Sequence, residues 1–414
     1  MTVVGFITEY NPFHYGHKYH LDESIKKTNA DFSIAIMSGS FLQRGEPSFI
    51  DKWTKAKMAI ENGVDLVLEL PFIFSCQSAE LFAYGGVKLM DSLNIVNYLA
   101  FGSESGEVEP LAEIASILSA EPEYYKERLK YHLSIGLSYS ISRSNALEEY
   151  INSISSKNYY NYKEILNKSN NILGIEYLKA LNKTNSKIMP VTIKRSGSNY
   201  NDLHVSNGFA SATAVRNLIK NNDLSSIKDL VPVETYYCLK EYLEKYKSFN
   251  YLENYSQILI YLIRTIGKSH IEDLLDIEPG LQNRIIDKGS MSNNIKEIID
   301  SIVTKRYPRT RIQRLFMHLL NQLNSHTFKE LYKDYPSYIR VLGANKNGLI
   351  LLNRIKKNSS LPIITKFADY KHFKNESLEK IIMLDKKATD IFFIGLNSHK
   401  PLTNMDYYNS PYIK

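Results

Sequence analysis

Three histidines lie within seven residues near the start of the chain. They are His14, His17 and His20 in the stretch "EYNPFHYGHKYHL", and the whole chain contains only ten histidines. Imidazoles can donate hydrogen bonds to phosphate oxygens, and they can also bind zinc. Gly16, between the first two, lets a ligand approach the backbone closely. Three interpretations therefore compete: a site for nucleotide phosphates, a zinc site, or chance together with helix capping.

The histidine stretch lies between a predicted strand and a predicted helix. A nearly continuous apolar run at 2–8 precedes it, and similar runs occur at 32–38, 65–70, 95–101 and 188–194. Such runs are typical of strands buried on both faces of a parallel sheet. Helical patterns separate them, at 51–62, 78–93 and 107–119. The alternation predicts an α/β fold, Rossmann-like, with a doubly wound parallel five-stranded sheet.

The rest of the chain is predicted to be mostly helical. The segment at about 107–185 contains no convincing strand and is interpreted as a helical insertion before the fifth strand. From residue 211 onward helical patterns dominate, interrupted by the strand-like runs "LPIIT" and "TDIFFIGL". We therefore predict a first domain over 1–225 and a mainly α-helical C-terminal region over 226–414.

Several turns that follow the predicted strands favour anions. Ligands of open α/β sheets bind at the carboxyl ends of the strands, where these turns would meet. A helix that starts with Ser-x-Thr adds hydroxyl and N–H donors there, with Arg216 one turn further on. Zinc is less favoured, because no acidic or cysteine cluster lies nearby to complete a ligand set. The candidate residues in these turns are Gln43, Arg44, Gly102, Arg195, Ser211 and Thr213.

The charge and the cysteine content limit the classes to which this protein can belong. The chain carries 51 Lys+Arg against 44 Asp+Glu, a net charge of +7. Its densest basic stretch, "TKRYPRTRIQR", is either a solvated face or a patch for a phosphate backbone. Two distant cysteines exclude a disulfide framework and fit a reducing cytoplasm. No apolar stretch approaches the roughly 20 residues of a membrane span. The patch consists of Lys305, Arg306, Arg309, Arg311 and Arg314.

Longer motifs carry a resemblance to a known family. "FHYGHKYHL" resembles the His-x-Gly-His signature of the nucleotidylyltransferase superfamily, and "SATAVR" resembles its second phosphate motif. The combination with "MSGSFLQRGEPSFIDKWTKAKMAIENGVDLVLELPF", "FGSES", "NNILGIEYLKAL" and "IKRSGSNYND" is more specific. It resembles the tRNA(Met) cytidine acetate ligases, a family of bacterial cytoplasmic enzymes. The likeness is densest over residues 1 to 220.

The resemblance implies an activity and its partners. The family activates acetate with ATP to acetyl-adenylate and pyrophosphate, and then transfers the acetyl group to N4 of the wobble cytidine of elongator tRNA(Met), forming N4-acetylcytidine. ATP would be a substrate, and any Mg²⁺ would arrive bound to the nucleotide. The resemblance implies no tightly bound cofactor and no dedicated metal site. Residues 1–225 would form the catalytic domain, and the C-terminal region with its basic patch would bind the tRNA.

The resemblance also implies roles for individual residues. His14, His17, Lys18 and Arg195 suit catalysis, because activating a carboxylate needs only placement and charge stabilisation at phosphate oxygens. Gln43 and Arg44 are candidates for binding acetate. The expected ATP contacts are Ile7, Thr8, Glu9, Tyr10, Asn11, Pro12, Phe13, His14, Tyr15, Gly16, His17, Lys18, Tyr19, His20, Gly102, Asn171, Arg195, Ser211 and Thr213.

Two other classes of function remain open at this point. The first domain alone would also suit a small-molecule nucleotidylyltransferase that joins AMP to a phosphorylated coenzyme precursor. A non-catalytic protein that binds RNA or a nucleotide would keep the same fold. The basic C-terminal region favours an RNA substrate over a coenzyme precursor.

Overall fold

A central sheet connects the two parts of the chain. The computed structural model describes residues 1–137, 139–154, 160–195, 209–396, 398 and 402–414. Residues 196–202 of the motif "IKRSGSNYND" lie outside the described residues. The strands are β1 Val3–Thr8, β2 Phe32–Ser38, β3 Leu66–Leu70, β4 Tyr98–Ser103, β5 Met189–Lys194, β6 Ile339–Ala344, β7 Ile363–Ile364 and β8 Tyr412–Ile413.

Helices fill the connections between these strands. In the first half they are α1 Tyr15–Thr28, α2 Lys52–Glu61, α3 Phe72–Ser75, α4 Ala79–Ser92, α5 Glu109–Ala120, α6 Glu123–Ser134, α7 Tyr139–Ile154, α8 Tyr162–Leu166 and α9 Ser169–Thr184. The second half contains α10 Ala212–Asn221, α11 Val233–Tyr246, α12 Ser256–Thr265, α13 Lys268–Glu272, α14 Leu281–Gly289, α15 Ile295–Ile302, α16 Arg309–Asn321, α17 Ser325–Lys333, α18 Lys346–Asn358, α19 Glu376–Ile394 and α20 Met405–Tyr408.

The five predicted strands are confirmed, and they form one parallel sheet. Their order is β5-β4-β1-β2-β3, with β1 at the centre. β1 to β4 are apolar and almost entirely buried, as expected of strands covered on both faces. The carboxyl ends of β1, β4 and β5 therefore meet at one edge, with α1 leaving from the same edge. The helical insertion is also confirmed, since α5 to α9 separate β4 from β5.

The C-terminal region extends the sheet, which the sequence did not predict. β6 pairs antiparallel with β3, and β7 and β8 both pair parallel with β6, so the sheet has eight strands among the described residues. The run "LPIIT" does contain a strand, β7. The run "TDIFFIGL" was wrongly interpreted as strand-like, because most of it belongs to α19, where Phe392 and Phe393 pack into the core. The division near residue 225 stays a prediction.

Across the described residues, no helix combines the length and apolar character needed to cross a bilayer.

Candidate active site

The histidine stretch begins α1 through a reciprocal cap. His14 is the N-cap, and its Nδ1 accepts a hydrogen bond from the Gly16 N–H at 3.0 Å. The His14 N–H in turn donates to Nδ1 of His17 at 3.3 Å. The two rings stack with centroids 3.8 Å apart. This arrangement satisfies two backbone donors that every helix start leaves open, so helix capping and a ligand site are not exclusive here.

The cap determines which nitrogen of each ring carries the proton. Because both Nδ1 atoms accept hydrogen bonds from the backbone, each neutral ring must be protonated at Nε2. Burial, followed by the nearby Arg195 guanidinium, lowers the pKa of His14 to about 3. Burial and the neighbouring His14 also hold the pKa of His17 well below its usual range. Both imidazoles are therefore neutral near pH 7, and each keeps one N–H group as a hydrogen-bond donor.

A first cleft, the β5 cleft, lies at the carboxyl ends of β4 and β5. Its volume is about 520 Å³, including space open to solvent. A Cβ added at Gly102 would lie 3.3 Å from Cγ of Arg195, so the glycine allows the arginine to pack flat against β4. Burial and Arg195 lower the pKa of His20 to about 4. The lining residues are His14, Gly16, His17, Tyr19, His20, Gly102, Ile193, Lys194 and Arg195.

A second cleft, the β2 cleft, adjoins the first and shares His14, His17 and Arg195 with it. It lies between the loops after β1 and β2 and the start of α10, and its volume is about 570 Å³, including space open to solvent. Ser211 is the N-cap of α10, where its Oγ accepts from the Ala214 N–H at 3.1 Å. The lining residues are Glu9, Tyr10, Asn11, His14, His17, Leu42, Arg44, Glu46, Arg195, Ser211, Ala212 and Arg216.

The two clefts together suit an anionic ligand with an apolar end. Three arginines, Arg44, Arg195 and Arg216, line the β2 cleft, which suits phosphate or carboxylate groups. Arg216 is held in place by the Asn11 carbonyl, to which it donates at 2.8 Å. The β5 cleft is less charged and is bordered by the glycines and the Tyr19 ring, which suits a nucleoside.

Buried polar groups hold the loops that line the β2 cleft. The Glu9 carboxylate accepts from the Gln43 N–H at 2.7 Å, which ties the loop after β1 to the loop after β2. Lys55, on α2, is completely buried beneath both loops. Its Nζ donates to the carbonyls of Ser38 at 2.7 Å, Gly39 at 2.9 Å and Glu9 at 3.3 Å. Lys55 was not predicted from the sequence.

Asn171 supports the loop after β4 from behind. Its Oδ1 accepts from the N–H groups of Glu104 at 2.9 Å and Ser105 at 3.1 Å, and its Nδ2 donates to the Ile165 carbonyl. The Glu104 carboxylate accepts from the Asn171 N–H in return. Asn171 is buried and does not line either cleft. The structure therefore gives it a supporting position, and its contact with ATP stays a prediction.

The structure brings most of the other predicted residues to the clefts, but not all. Lys18 forms an ion pair with Asp22 at 2.6 Å on the exposed side of α1. The geometry gives no support for its catalytic role, because one residue along a helix turns the side chain by about 100° from His17. The Gln43 backbone supports the site, but its side chain does not line it. Also absent from both linings are Ile7, Thr8, Pro12, Phe13, Tyr15 and Thr213.

Six lining residues were not among the predicted site residues. For Arg216 the signal was present, since it follows the Ser-x-Thr helix start by one turn. Lys194 likewise stands beside Arg195 in the sequence. The remaining four are small or apolar, or belong to a loop whose path the sequence does not show: Leu42, Glu46, Ile193 and Ala212.

The basic patch at 305–314 is largely neutralised within the fold. Arg306 and Arg311 both pair with Glu278, at 2.8 Å and 2.6 Å. Arg309 pairs with Asp300, and Arg314 is mostly buried with its guanidinium 3.9 Å from Asp276. These ion pairs form a structural network within the fold, so the patch is not simply a solvated face. Binding of tRNA by this patch stays a prediction that the geometry does not favour.

Within the part of the chain that the structure describes, no group of three or more His, Cys, Asp or Glu side chains converges as a metal site would require. The Nδ1 atoms of His14 and His17 are already occupied by backbone N–H groups.

Comparison with known proteins identifies the family. The model of the HIGH Nucleotidyl Transferase family matches residues 1–405. The chain is 43% identical to the tRNA(Met) cytidine acetate ligase of Caldanaerobacter subterraneus subsp. tengcongensis and 40% identical to that of Clostridium perfringens, each over the full length of both proteins. The structure of Thermotoga maritima TmcAL bound with alpha-thio ATP superposes with a TM-score of 0.92, at 32% identity over 100% of this chain and 99% of the other. The chain therefore belongs to the HIGH nucleotidyl transferase family, in its branch of tRNA(Met) cytidine acetate ligases.

Proposed function

We propose that this protein activates acetate with ATP and transfers the acetyl group to N4 of the wobble cytidine of elongator tRNA(Met). The observation that supports this most directly is the pair of adjoining clefts that share two neutral imidazoles and Arg195. Relatives of the same length that carry the ligase name support the same reaction. An enzyme that modifies tRNA would act in the cytoplasm.

The first step requires an in-line attack on the α-phosphorus. An acetate oxygen forms a bond to phosphorus while the bond to the pyrophosphate oxygen breaks. Acetate is already ionised near pH 7, so no general base is needed. The site must instead place the two reactants and stabilise charge on phosphate oxygens. Donors to these oxygens would be the Nε2–H groups of His14 and His17 and the guanidinium of Arg195. Any Mg²⁺ would enter bound to the nucleotide.

Arg44 would anchor the acetate carboxylate in the β2 cleft. It lines the same cleft as the shared histidines, so a carboxylate bound there would lie beside the triphosphate. The Leu42 side chain, which lines the same cleft, supplies an apolar wall for the methyl group.

The second step transfers the acetyl group to the RNA base. The N4 amine attacks the acyl carbon, the bond to the AMP oxygen breaks, and the amine loses one proton. The cytosine must leave its stack to reach the site, and this costs less in a single-stranded loop than in a duplex. The edge of the sheet where the clefts open is where the base would enter.

Exchange of pyrophosphate into ATP tests the first step. We expect exchange that depends on acetate, because only bound acetate can accept the adenylyl group. His17→Ala should lower the exchange rate on the order of a hundredfold or more, since it removes a donor to developing charge. His326→Ala, which replaces an exposed histidine on α17, is the matched control and should leave the rate unchanged.

Other outcomes would point to another function. Exchange that ignores acetate but responds to a phosphorylated coenzyme precursor would identify a small-molecule adenylyltransferase. Intact ATP binding without exchange would identify a nucleotide-binding protein. Nucleoside analysis of bulk tRNA after incubation with ATP and labelled acetate tests the second step, and label in any nucleoside other than N4-acetylcytidine would contradict the proposal.

Arg44→Met separates the acetate site from the ATP site. We expect the KM for acetate to rise about tenfold or more with little change in the KM for ATP, because a charged anchor for the carboxylate is lost. Steady-state exchange with each substrate varied in turn measures both constants. An equal rise in both would assign Arg44 to the phosphates instead.

A further inference from the structure

A second basic surface lies in the C-terminal region, on α18 and the turn after β7. From Lys346 to Lys374 the sequence has seven lysines and arginines and a single acid, Asp369. All seven side chains belong to exposed residues. The surface, called the α18 surface below, consists of Lys346, Arg354, Lys356, Lys357, Lys366, Lys371 and Lys374.

The charges of the α18 surface are not compensated within the described residues. None of its seven cations forms an ion pair with another residue that the structure describes. The patch at 305–314 differs sharply, because four of its five cations are held by Asp276, Glu278 and Asp300. Unpaired, clustered cations attract a polyanion and release its counterions on binding, whereas cations already paired with acids do so less.

The surface also carries a groove suited to a sugar-phosphate backbone. The groove is a shallow surface feature, and the space in and above it, open to solvent, amounts to about 1120 Å³. Its polar side chains are hydroxyls and an amide beside Lys356, which are the groups that contact phosphates and sugars in nucleic-acid complexes. Phe373, 38% exposed, borders the same groove and offers a ring on which an unpaired base can stack. The polar groove residues are Asn353, Lys356, Ser359, Ser360 and Thr365.

The position of α18 restricts what could bind there as part of the reaction. The Asn345 N–H donates to the Asp65 carbonyl, just before β3, and the Asn358 carbonyl accepts from Asn94, before β4. Both ends of α18 therefore lie at the amino edge of the parallel strands, whereas the clefts open at the carboxyl edge. A strand of six residues is roughly 20 Å long. A ligand that touches both edges must be longer than this, which excludes ATP and acetate.

We propose that the α18 surface binds the sugar-phosphate backbone of the tRNA at a distance from the base that reacts. This inference rests on the proposed function, which supplies a tRNA as the substrate. The cations would supply affinity and orientation without reading sequence. The groove beside Phe373 would hold an unstacked nucleotide of the same molecule.

A pair of double variants tests the assignment. Lys356→Ala with Lys357→Ala removes two exposed, unpaired charges from the α18 surface. We expect it to weaken tRNA binding by the full-length protein on the order of tenfold. The slope of the logarithm of the binding constant against the logarithm of the salt concentration should become less negative by about two. Arg306→Ala with Arg309→Ala removes the same charge from the paired patch, and should change the affinity less than about twofold. Melting temperatures confirm that both variants fold.

Two further measurements identify the kind of ligand. Phe373→Leu should weaken tRNA binding without changing the salt dependence, because it removes stacking and no charge. Acetate-dependent exchange should be unchanged in all these variants, so a failure of the proposed function appears as absent exchange in the unmodified protein. The inference is overturned if the lysine variant binds tRNA with unchanged affinity and salt dependence, or if it loses only binding to anionic phospholipid vesicles.

Discussion

At the scale of single residues, the site works through constraints on orientation. The backbone N–H groups at the start of α1 occupy Nδ1 of His14 and His17, so both rings present Nε2–H in a fixed direction. Fixed donors need no reorganisation when charge develops on a phosphate. Gly102 contributes by leaving room, since its missing side chain lets Arg195 lie against β4.

Gly102→Ala should displace Arg195 and weaken ATP binding. The added Cβ would lie 3.3 Å from Cγ of Arg195, so the arginine must shift by a few tenths of an ångström. We expect the Kd for ATP, measured by calorimetry, to rise about three- to tenfold with an unchanged melting temperature. A lower melting temperature with unchanged ATP affinity would show that Gly102 serves packing alone.

At the scale of elements, α2 connects the loops that form the β2 cleft. Its N-terminal half contains two buried lysines with different partners. Lys52 forms ion pairs with Glu69 at 2.9 Å and Asp406 at 2.8 Å, and Lys55 donates to three carbonyls of the loops after β1 and β2. Burial lowers the pKa of Lys55 to about 7, while Glu9 acts in the opposite direction. In its protonated form Lys55 has three donors, one for each carbonyl.

Lys55→Met should loosen both loops at once. Three carbonyls lose their donor, and at about 1 kcal/mol for each hydrogen bond the free energy of unfolding should fall by roughly 3 kcal/mol. The KM for acetate should rise as well, because the loop that carries Arg44 is no longer held. Chemical denaturation and acetate-dependent exchange measure the two effects. Lys57→Met, on the same helix but paired with Glu241 at the surface, is the control and should change neither.

The sequence predicted most of the helices and strands of the first half. It also predicted those site residues whose position follows from the geometry of a parallel sheet. Five apolar runs became parallel strands, and the rule that their carboxyl ends meet correctly brought the three histidines, Gly102 and Arg195 together. Lys55 escaped prediction because a lysine on an amphipathic helix normally faces solvent. The patch at 305–314 looked unpaired because its acids, Asp276 and Glu278 among them, come from an earlier loop that only the tertiary fold brings close.

At the scale of the whole molecule, buried neutral histidines couple stability to pH. Burial lowers the pKa of His14 to about 3 and that of His20 and His318 to about 4, and Nε2 of His318 donates to the Cys76 carbonyl at 2.8 Å. An unfolded histidine titrates near pH 6.5. Between about pH 6.5 and 4 the unfolded state therefore binds more protons than the folded state, so stability falls as the pH falls.

His318→Gln should make this decline less steep. Each buried histidine contributes up to about 1.4 kcal/mol per pH unit within the window, and the variant removes one of them while its amide can still donate to the Cys76 carbonyl. Denaturation at a series of pH values from 7 to 4.5 measures the slope. His326→Gln, at an exposed position, is the control. An unchanged slope in His318→Gln would show that His318 becomes protonated without unfolding.

The position of β6 also has a consequence for how the protein is made. The partner of β3 at the edge of the five parallel strands is encoded more than 250 residues later, and one of the two counter-charges of buried Lys52 is Asp406. During translation, the N-terminal half therefore emerges from the ribosome with an unsatisfied strand edge and a lysine that has not yet met one of its acids. The nascent sheet can reach its final form only after β6 and Asp406 have been synthesised, and until then the open edge of β3 can pair with another chain.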